Sequence, residues 1–253
     1  MLRGITFSLK NDRELDLMRR AGRIVALVLQ ELLFSVTVGL ETMELDKKAS
    51  SLMKSLGGKS AFLGYRGYPY TICVSINSEV VHGFPSSYLL KEGDIVSIDV
   101  GVEYDGYLAD AALTVGVGKI SAEAERLIKV TKEALYLGLK EAKSGNALGN
   151  IGAQIQEWVE GAGFSVVREF VGHGIGKNLH EGPSVPNYSL PFSTPELKEG
   201  MTLTIEPMVT SGRGDVYIDH NGWTAKTRDG SLAAHFEHTV LVTKQGGVVL
   251  TSL

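Results

Sequence analysis

A chain of 253 residues with 43% hydrophobic content is long enough to bury one large core or two modest ones. Its formal net charge of −4 gives no electrostatic reason to expect nucleic acid or an acidic membrane surface as a partner, and no run approaches the ~18 apolar residues that would span a bilayer. Cys73 is the only cysteine, which excludes an intrachain disulfide framework and fits a reducing cytosol, and the stretch from Met1 to Lys10 is too short and too mixed for a signal peptide. In chain order, Asn11 with Glu14 three residues later reads as a capping box, and Leu17, Ala21, Ile24, Val28 and Leu32 recur behind it at helical spacing. Gly39 marks a turn. Thr42 reads as the cap of a second helix with the stripe Leu45, Ala49, Leu52 and Leu56, ended by Gly57-Gly58. Strand signals follow over 71–76, 95–103 and 107–117, with Asp105-Gly106 as a hairpin turn. Ser121 reads as the cap of a third helix running to about Lys143, and a shorter one over 151–159 ends at Gly161-Ala162-Gly163. Strands resume over 165–171, 201–210 and 233–243.

The order helix, helix, strands therefore occurs twice. The interval Gly39 to Gly57 recurs as Gly145 to Gly163, offset by 106 residues. A second repeat is offset by 107: Leu90-Lys91-Glu92-Gly93 leads into a strand ending Ile98-Asp99, and Leu197-Lys198-Glu199-Gly200 leads into one ending Ile205-Glu206. The pattern predicts an α+β fold in a single domain over 1–253. Its two related halves, about 11–118 and 119–253, would pack around a pseudo-two-fold axis, each delivering one acid to a shared place.

An acid inside an apolar strand needs a partner. Asp99 and Asp110 flank the Asp105-Gly106 turn, and a two-residue loop keeps both on one face of the hairpin. The competing reading is a solvent-facing hairpin; Ile98, Val100, Ala111 and Leu113 argue against it by predicting cover on the other face. Glu237 interrupts another apolar strand. His173 lies in Gly172-His173-Gly174-Ile175-Gly176, where small neighbours permit close approach. A phosphate-binding loop is the rival for that stretch, but Gly176-Lys177-Asn178 lacks the Ser or Thr that follows the lysine in such loops. Four carboxylates and one imidazole suit divalent manganese, iron, cobalt or zinc. Four negative charges exceed what one divalent ion neutralises, and two ions would balance them.

The ordered set Asp99, Asp110, His173, Glu206 and Glu237 closely resembles the methionine aminopeptidases. The resemblance rests on the contexts Ser97-Ile98-Asp99-Val100-Gly101, Gly172-His173-Gly174-Ile175-Gly176, Thr204-Ile205-Glu206-Pro207-Met208 and Phe236-Glu237-His238-Thr239, and it covers nearly the whole chain. It implies the pita-bread fold and the removal of the initiator methionine from nascent chains, with a small second residue favoured. It also implies roles. Asp99 would bind one ion, Asp110 and Glu237 would bridge two, and His173 and Glu206 would bind the other, with Glu206 also accepting the proton of the attacking water. His82 would stand near the scissile amide nitrogen, and His180 would polarise the carbonyl or stabilise the oxyanion. Tyr65, Tyr68, Cys73, His82 and Trp223 would line the methionine pocket, with His180 also touching substrate. Two positions depart from the usual pattern: Leu179 stands where many members carry phenylalanine, and Glu181-Gly182 replaces a Glu-Glu or Glu-Asp pair. His220 and His235 receive no role, although His235 shares a strand face with Glu237.

Glu206 and Glu237 are 31 residues apart, too close for the helical insertion of type II relatives, so the resemblance is to the short bacterial or organellar type I form. A proline-specific peptidase of the same fold would carry an extra N-terminal domain ahead of Asp99, and a non-catalytic relative would have lost ligands. The expected partner is the N-terminal peptide of a nascent chain, with a transient ribosome contact, no membrane, no specific nucleic acid and a monomeric state.

Overall fold

The computed structural model describes residues 8–252; residues 1–7, part of the stretch read as too mixed for a signal peptide, and Leu253 lie outside the described residues. The chain's longest ladder joins Ile95–Tyr104 to Tyr107–Gly116 across the two-residue turn at Asp105-Gly106. Val96, Ile98, Val100 and Val102 alternate with the other face and meet Ala109 and Ala111 from the partner strand, all of them fully buried. Helix α1, Asp12–Ser35, covers that face with Ala21, Ile24, Val25, Val28, Leu29 and Leu32. It begins in the capping box predicted from Asn11 and Glu14, whose reciprocal bonds are both 3.0 Å; such a cap stabilises by about 1 kcal/mol. Lys59–Ser60 and Cys73–Ile76 flank the Ile95–Tyr104 strand to complete a four-stranded sheet.

The second pair of helices, α3 (Ala122–Glu141) and α4 (Gly149–Gly161), packs on the other half of the molecule. Leu127, Ala134, Leu135, Ile151, Ile155 and Val159 bury against Leu203, Ile205, Val209, Ala234 and Val240. These apolar residues belong to Thr202–Ile205, Met208–Thr210, Ala233–His235 and His238–Val242. Thr202–Ile205 and His238–Val242 pair inside a five-stranded sheet that also holds Gly247–Val249, Gly172–Gly174 and Glu181–Val185. The turns that open the two acid-bearing strands share a backbone shape: Gly93 has φ 94° and Gly200 φ 89°, a region that favours glycine.

Several expectations require correction. The segments 201–210 and 233–243 are each two strands, broken at Glu206-Pro207 and at Phe236-Glu237. Proline has no N–H for a ladder. At the second break the Glu237 backbone leaves its own sheet to exchange hydrogen bonds with Ala112 at 2.8 and 3.3 Å. The predicted strand over 165–171 is confined to Ser165–Val166, because the chain turns to bring Phe170 edge-on to His82, 5.4 Å between ring centroids. The strand predicted over 71–76 begins at Cys73. Helix α2 (Thr42–Ser55) has Glu41, not Thr42, at its cap position; the Thr42 hydroxyl is buried and exchanges hydrogen bonds with Ser86. Its inner face is Leu45, Ala49 and Met53, while Leu56 lies beyond the helix and is 37% exposed. No helix among the described residues is long and apolar enough to cross a membrane.

Candidate metal centre and active site

Asp99 pairs across the hairpin with Ala112, and Asp110 with Gly101, which puts both carboxylates on the face opposite α1. Asp110 is fixed by Thr239, whose hydroxyl accepts from the Asp110 N–H at 3.0 Å and stands 2.9 Å from Asp110 Oδ1. Asp99 Oδ1 is buried with no hydrogen-bond partner. His173 lies on a strand that glycines allow to sit between close neighbours: a Cβ on Gly174 would come within 2.2 Å of the Gly182 carbonyl oxygen, and one on Gly172 within 2.5 Å of that of Thr204. The His173 Nδ1 is 2.9 Å from the Gly174 carbonyl oxygen. A carbonyl only accepts, so Nδ1 carries the proton and Nε2 keeps a free lone pair. That nitrogen stands 3.8 Å from Asp110 Oδ2 and 3.6 Å from Glu206 Oε1. Thr204 donates its hydroxyl to Glu206 Oε1 at 2.6 Å, and Asn187 donates to the Glu206 carbonyl oxygen at 3.0 Å.

Ligand atoms of Asp110, His173 and Glu237 lie within 4.8 Å of one another, and Asp99 and Glu206 border the same cavity. Burial, with mutual repulsion added, holds Asp99, Glu206 and Glu237 well above the usual carboxylate range, and burial pushes Asp110 up to about 7. Burial also drives His173 down to about 4. Among the described residues the ion-pair partners of these acids are histidines, with no lysine or arginine. Four acids, Asp110 and Glu237 buried and Asp99 and Glu206 half-buried, form with an orphaned oxygen and an unprotonated imidazole nitrogen a donor set that fits divalent cations.

The cavity above the acids measures about 160 Å³, roughly the size that admits a benzene-sized guest in other proteins. Tyr65, Tyr68, Cys73, His82, His180 and Trp223 all line it, so the structure brings together every residue predicted for the site. The Tyr68 hydroxyl donates toward the carbonyls of Ile72 and Gly83, both at 3.0 Å, and its ring meets Trp223 edge-on at 5.2 Å. Burial pushes the Cys73 thiol up, which keeps it protonated and makes it wall, not nucleophile. His82 stands at φ 60°, held by its packing against Phe170 and Trp223, and burial lowers it to about 4. His180 is at the mouth: its Nδ1 is 2.8 Å from the Tyr65 hydroxyl and its ring is 4.1 Å from that of His173. The residue is exposed, and partial dehydration of its ring, then His173 and Arg66, lower it to about 4.

Phe62 and Arg66 also line the cavity and were not singled out from sequence. Arg66 lies between Tyr65 and Tyr68, two of the residues expected in the methionine pocket; Phe62 carried no signal beyond its aromatic ring. Leu179 is buried in the wall beside them. His235 stands 3.9 Å from Glu237 Oε2 with its own Nε2 buried and unpartnered, while His220 is exposed and outside the lining.

This geometry is that of a metallopeptidase centre, and comparison with known proteins agrees. The profile of metallopeptidase family M24 matches residues 16–244. The chain belongs to family M24, and within it to the methionine aminopeptidases. It is 50% identical to methionine aminopeptidase 1 of Bacillus subtilis (strain 168) over 96% of this chain and 98% of that one. The crystal structure of a Thermotoga maritima methionine aminopeptidase superposes with a TM-score of 0.96 at 44% identity, covering 98% of this chain and all of the other. The Pyrococcus furiosus prolidase gives 0.78 at 25% identity, and only 65% of that chain is covered. The fold is therefore the pita-bread fold of helices on antiparallel sheet.

Proposed function

We propose that this chain removes the N-terminal methionine from peptides and nascent proteins by hydrolysis, favouring a small second residue. Asp99, Asp110, His173, Glu206 and Glu237 would hold two divalent cations, drawn from manganese, iron, cobalt and zinc. The observation that carries the reading is the cluster of four acids, with no lysine or arginine ion-paired to them among the described residues, at the floor of a cavity walled by Tyr68, Cys73 and Trp223. Such a polarizable apolar wall suits a thioether. Bound divalent ions would supply Lewis acidity, making water a better nucleophile and the scissile carbonyl a better electrophile.

The rest falls to the chain's own groups. Glu206, with one oxygen fixed by the Thr204 hydroxyl, accepts the proton of the attacking water. His180 is neutral and its Nδ1 is engaged by the Tyr65 hydroxyl, so with the phenol donating, Nε2 carries the proton and donates it as a hydrogen bond to the developing oxyanion. The carbon–nitrogen bond then breaks, and the proton held by Glu206 passes to the departing amine, beside His82. The reading extends to a monomeric, cytoplasmic, single-domain enzyme that meets its substrates near the ribosome. The matching glycine turns at Gly93 and Gly200 support its descent from two related halves.

A peptide panel varied at its first two residues tests the activity. Met-Ala-Ser should release free methionine, and a bulky second residue should slow release. A metal-loaded protein that leaves Met-Ala-Ser uncut yet splits a Xaa-Pro dipeptide would replace this reading with a proline-specific one.

A further inference from the structure

Lys10 stands outside the cavity lining, yet its side chain is only 3% exposed. Its Nζ lies 2.8 Å from Glu181 Oε2 and 3.3 Å from the Ser8 carbonyl oxygen. The other oxygen of the same carboxylate accepts from the backbone N–H groups of Lys177 and Asn178, at 2.9 and 3.1 Å. Glu181 therefore closes the turn on which its neighbour His180 sits, and Lys10 neutralises the carboxylate that closes it. Gly176 leaves room for the arrangement, since a Cβ there would come within 2.5 Å of Lys10 Cε.

The backbone of Lys10 reaches the other half of the site. Its N–H donates to the Gly200 carbonyl oxygen at 3.0 Å, and Leu9 bridges to Met201. Gly200 opens the strand that ends at Glu206. One residue thus ties the turn bearing His180 to the strand leading to Glu206, from a position that touches neither substrate nor acid cluster.

We propose that Lys10 and Glu181 are a positioning pair that sets where the His180 ring stands relative to Glu206. The proposal rests on the reading of His180 as the donor to the oxyanion. A buried carboxylate that loses its cation relocates or draws in water, so removing the charge of Lys10 releases Glu181 and the turn it closes. Misplacement by about an ångström costs on the order of 10²-fold in rate.

The test compares metal-loaded wild type with K10M, K10Q, K10R, H180A and K10M/H180A. It measures kcat and KM for Met-Ala-Ser, and metal affinity by calorimetry as a readout independent of turnover. K10M is expected to lower kcat roughly 10- to 100-fold with KM held within about twofold and metal affinity unchanged. K10R should restore most of the rate, and K10M should cost nothing further once His180 is absent. K10Q keeps a donor without the charge and carries the test if K10M does not fold. Wild-type kcat in K10M or K10Q overturns the proposal, as does an equal loss with and without His180, or a loss that follows metal affinity. A slow H180A beside a fast K10M removes the proposal alone. An H180A with wild-type kcat removes the reading of His180 beneath it.

Discussion

Glu206 is held by the Thr204 hydroxyl at its carboxylate and by Asn187 at its carbonyl oxygen, in a place where its charge is costly. Two consequences can be measured on one variant. Glu206→Gln should cut kcat by at least about 10²-fold, the typical contribution of a general base. The same change removes a carboxyl that the metal-free fold keeps from ionising as it does in the unfolded chain, so the metal-free variant should melt at a higher temperature than metal-free wild type. A slow enzyme with a lowered melting temperature would point to misfolding instead. For His180→Ala the expected loss is about 10²- to 10³-fold in kcat with little change in KM, because its hydrogen bond strengthens as charge develops on the oxygen. An unchanged kcat would contradict that role. Much of this was legible from sequence, since Asp99, His173, Glu206 and Glu237 each sit in a distinctive short context and Asp110 is placed by the parity of the hairpin. The supports were not. Thr204 and Thr239 fall within the short contexts of Glu206 and Glu237 and Lys10 does not, but none of the three signals its partner, and their bonds to Glu206, Asp110 and Glu181 span 2, 129 and 171 positions. Only the first of these is local.

At the scale of elements, helices read well where a side chain caps them, as Asn11 and Ser121 do, and less well at Thr42–Ser55, which has no side-chain cap. The hairpin read well because its turn fixes its register. The strands carrying Glu206 and Glu237 read poorly. Hydrophobic runs predict continuous strands over 201–210 and 233–243, but each acid sits where its strand breaks, and the break aims the carboxylate at the cavity. The Glu237 break depends on backbone bonds to Ala112, a partner that no local pattern reveals. Close approach of backbones is equally hidden, although the glycines that permit it are visible. Gly174→Ala should test that packing. Its new Cβ would meet the Gly182 carbonyl, so a loss of about 1–3 kcal/mol in unfolding free energy is expected. Metal affinity should fall with it, because His173 is next in the chain. Denaturant titration with and without metal checks both; an unaltered midpoint would show that the strand relaxes at no cost.

The whole molecule carries the electrostatic cost of the site, and pH exposes it. The folded chain holds Asp110 near 7 and the other three acids well above their ordinary range, whereas unfolded carboxyls titrate near about 4. A raised folded value means that the folded state binds protons more tightly. Its contribution is present below the unfolded pKa and is lost as pH rises through the folded one. The histidines act in the opposite sense at lower pH. His82, His173 and His238 are lowered to about 4 and His235 to about 3, chiefly by burial, so stability falls as pH drops below about 6.5. Above about pH 7 they are neutral in both states, and the raised acids act in the same direction as the buried Cys73 thiol, whose raised value adds to the loss above about pH 8. The melting temperature of metal-free protein should therefore decline as pH rises through and above about 7, and saturating zinc should flatten the decline. A metal-free midpoint that rises over that range would contradict the account of the acids.

The most direct test of the central claim is hydrolysis of Met-Ala-Ser by protein stripped of metal and then titrated with cobalt or manganese. The predicted result is no methionine release after stripping, recovery as ion is added, and a plateau at two ions per chain. Undiminished cleavage after exhaustive chelation would contradict it.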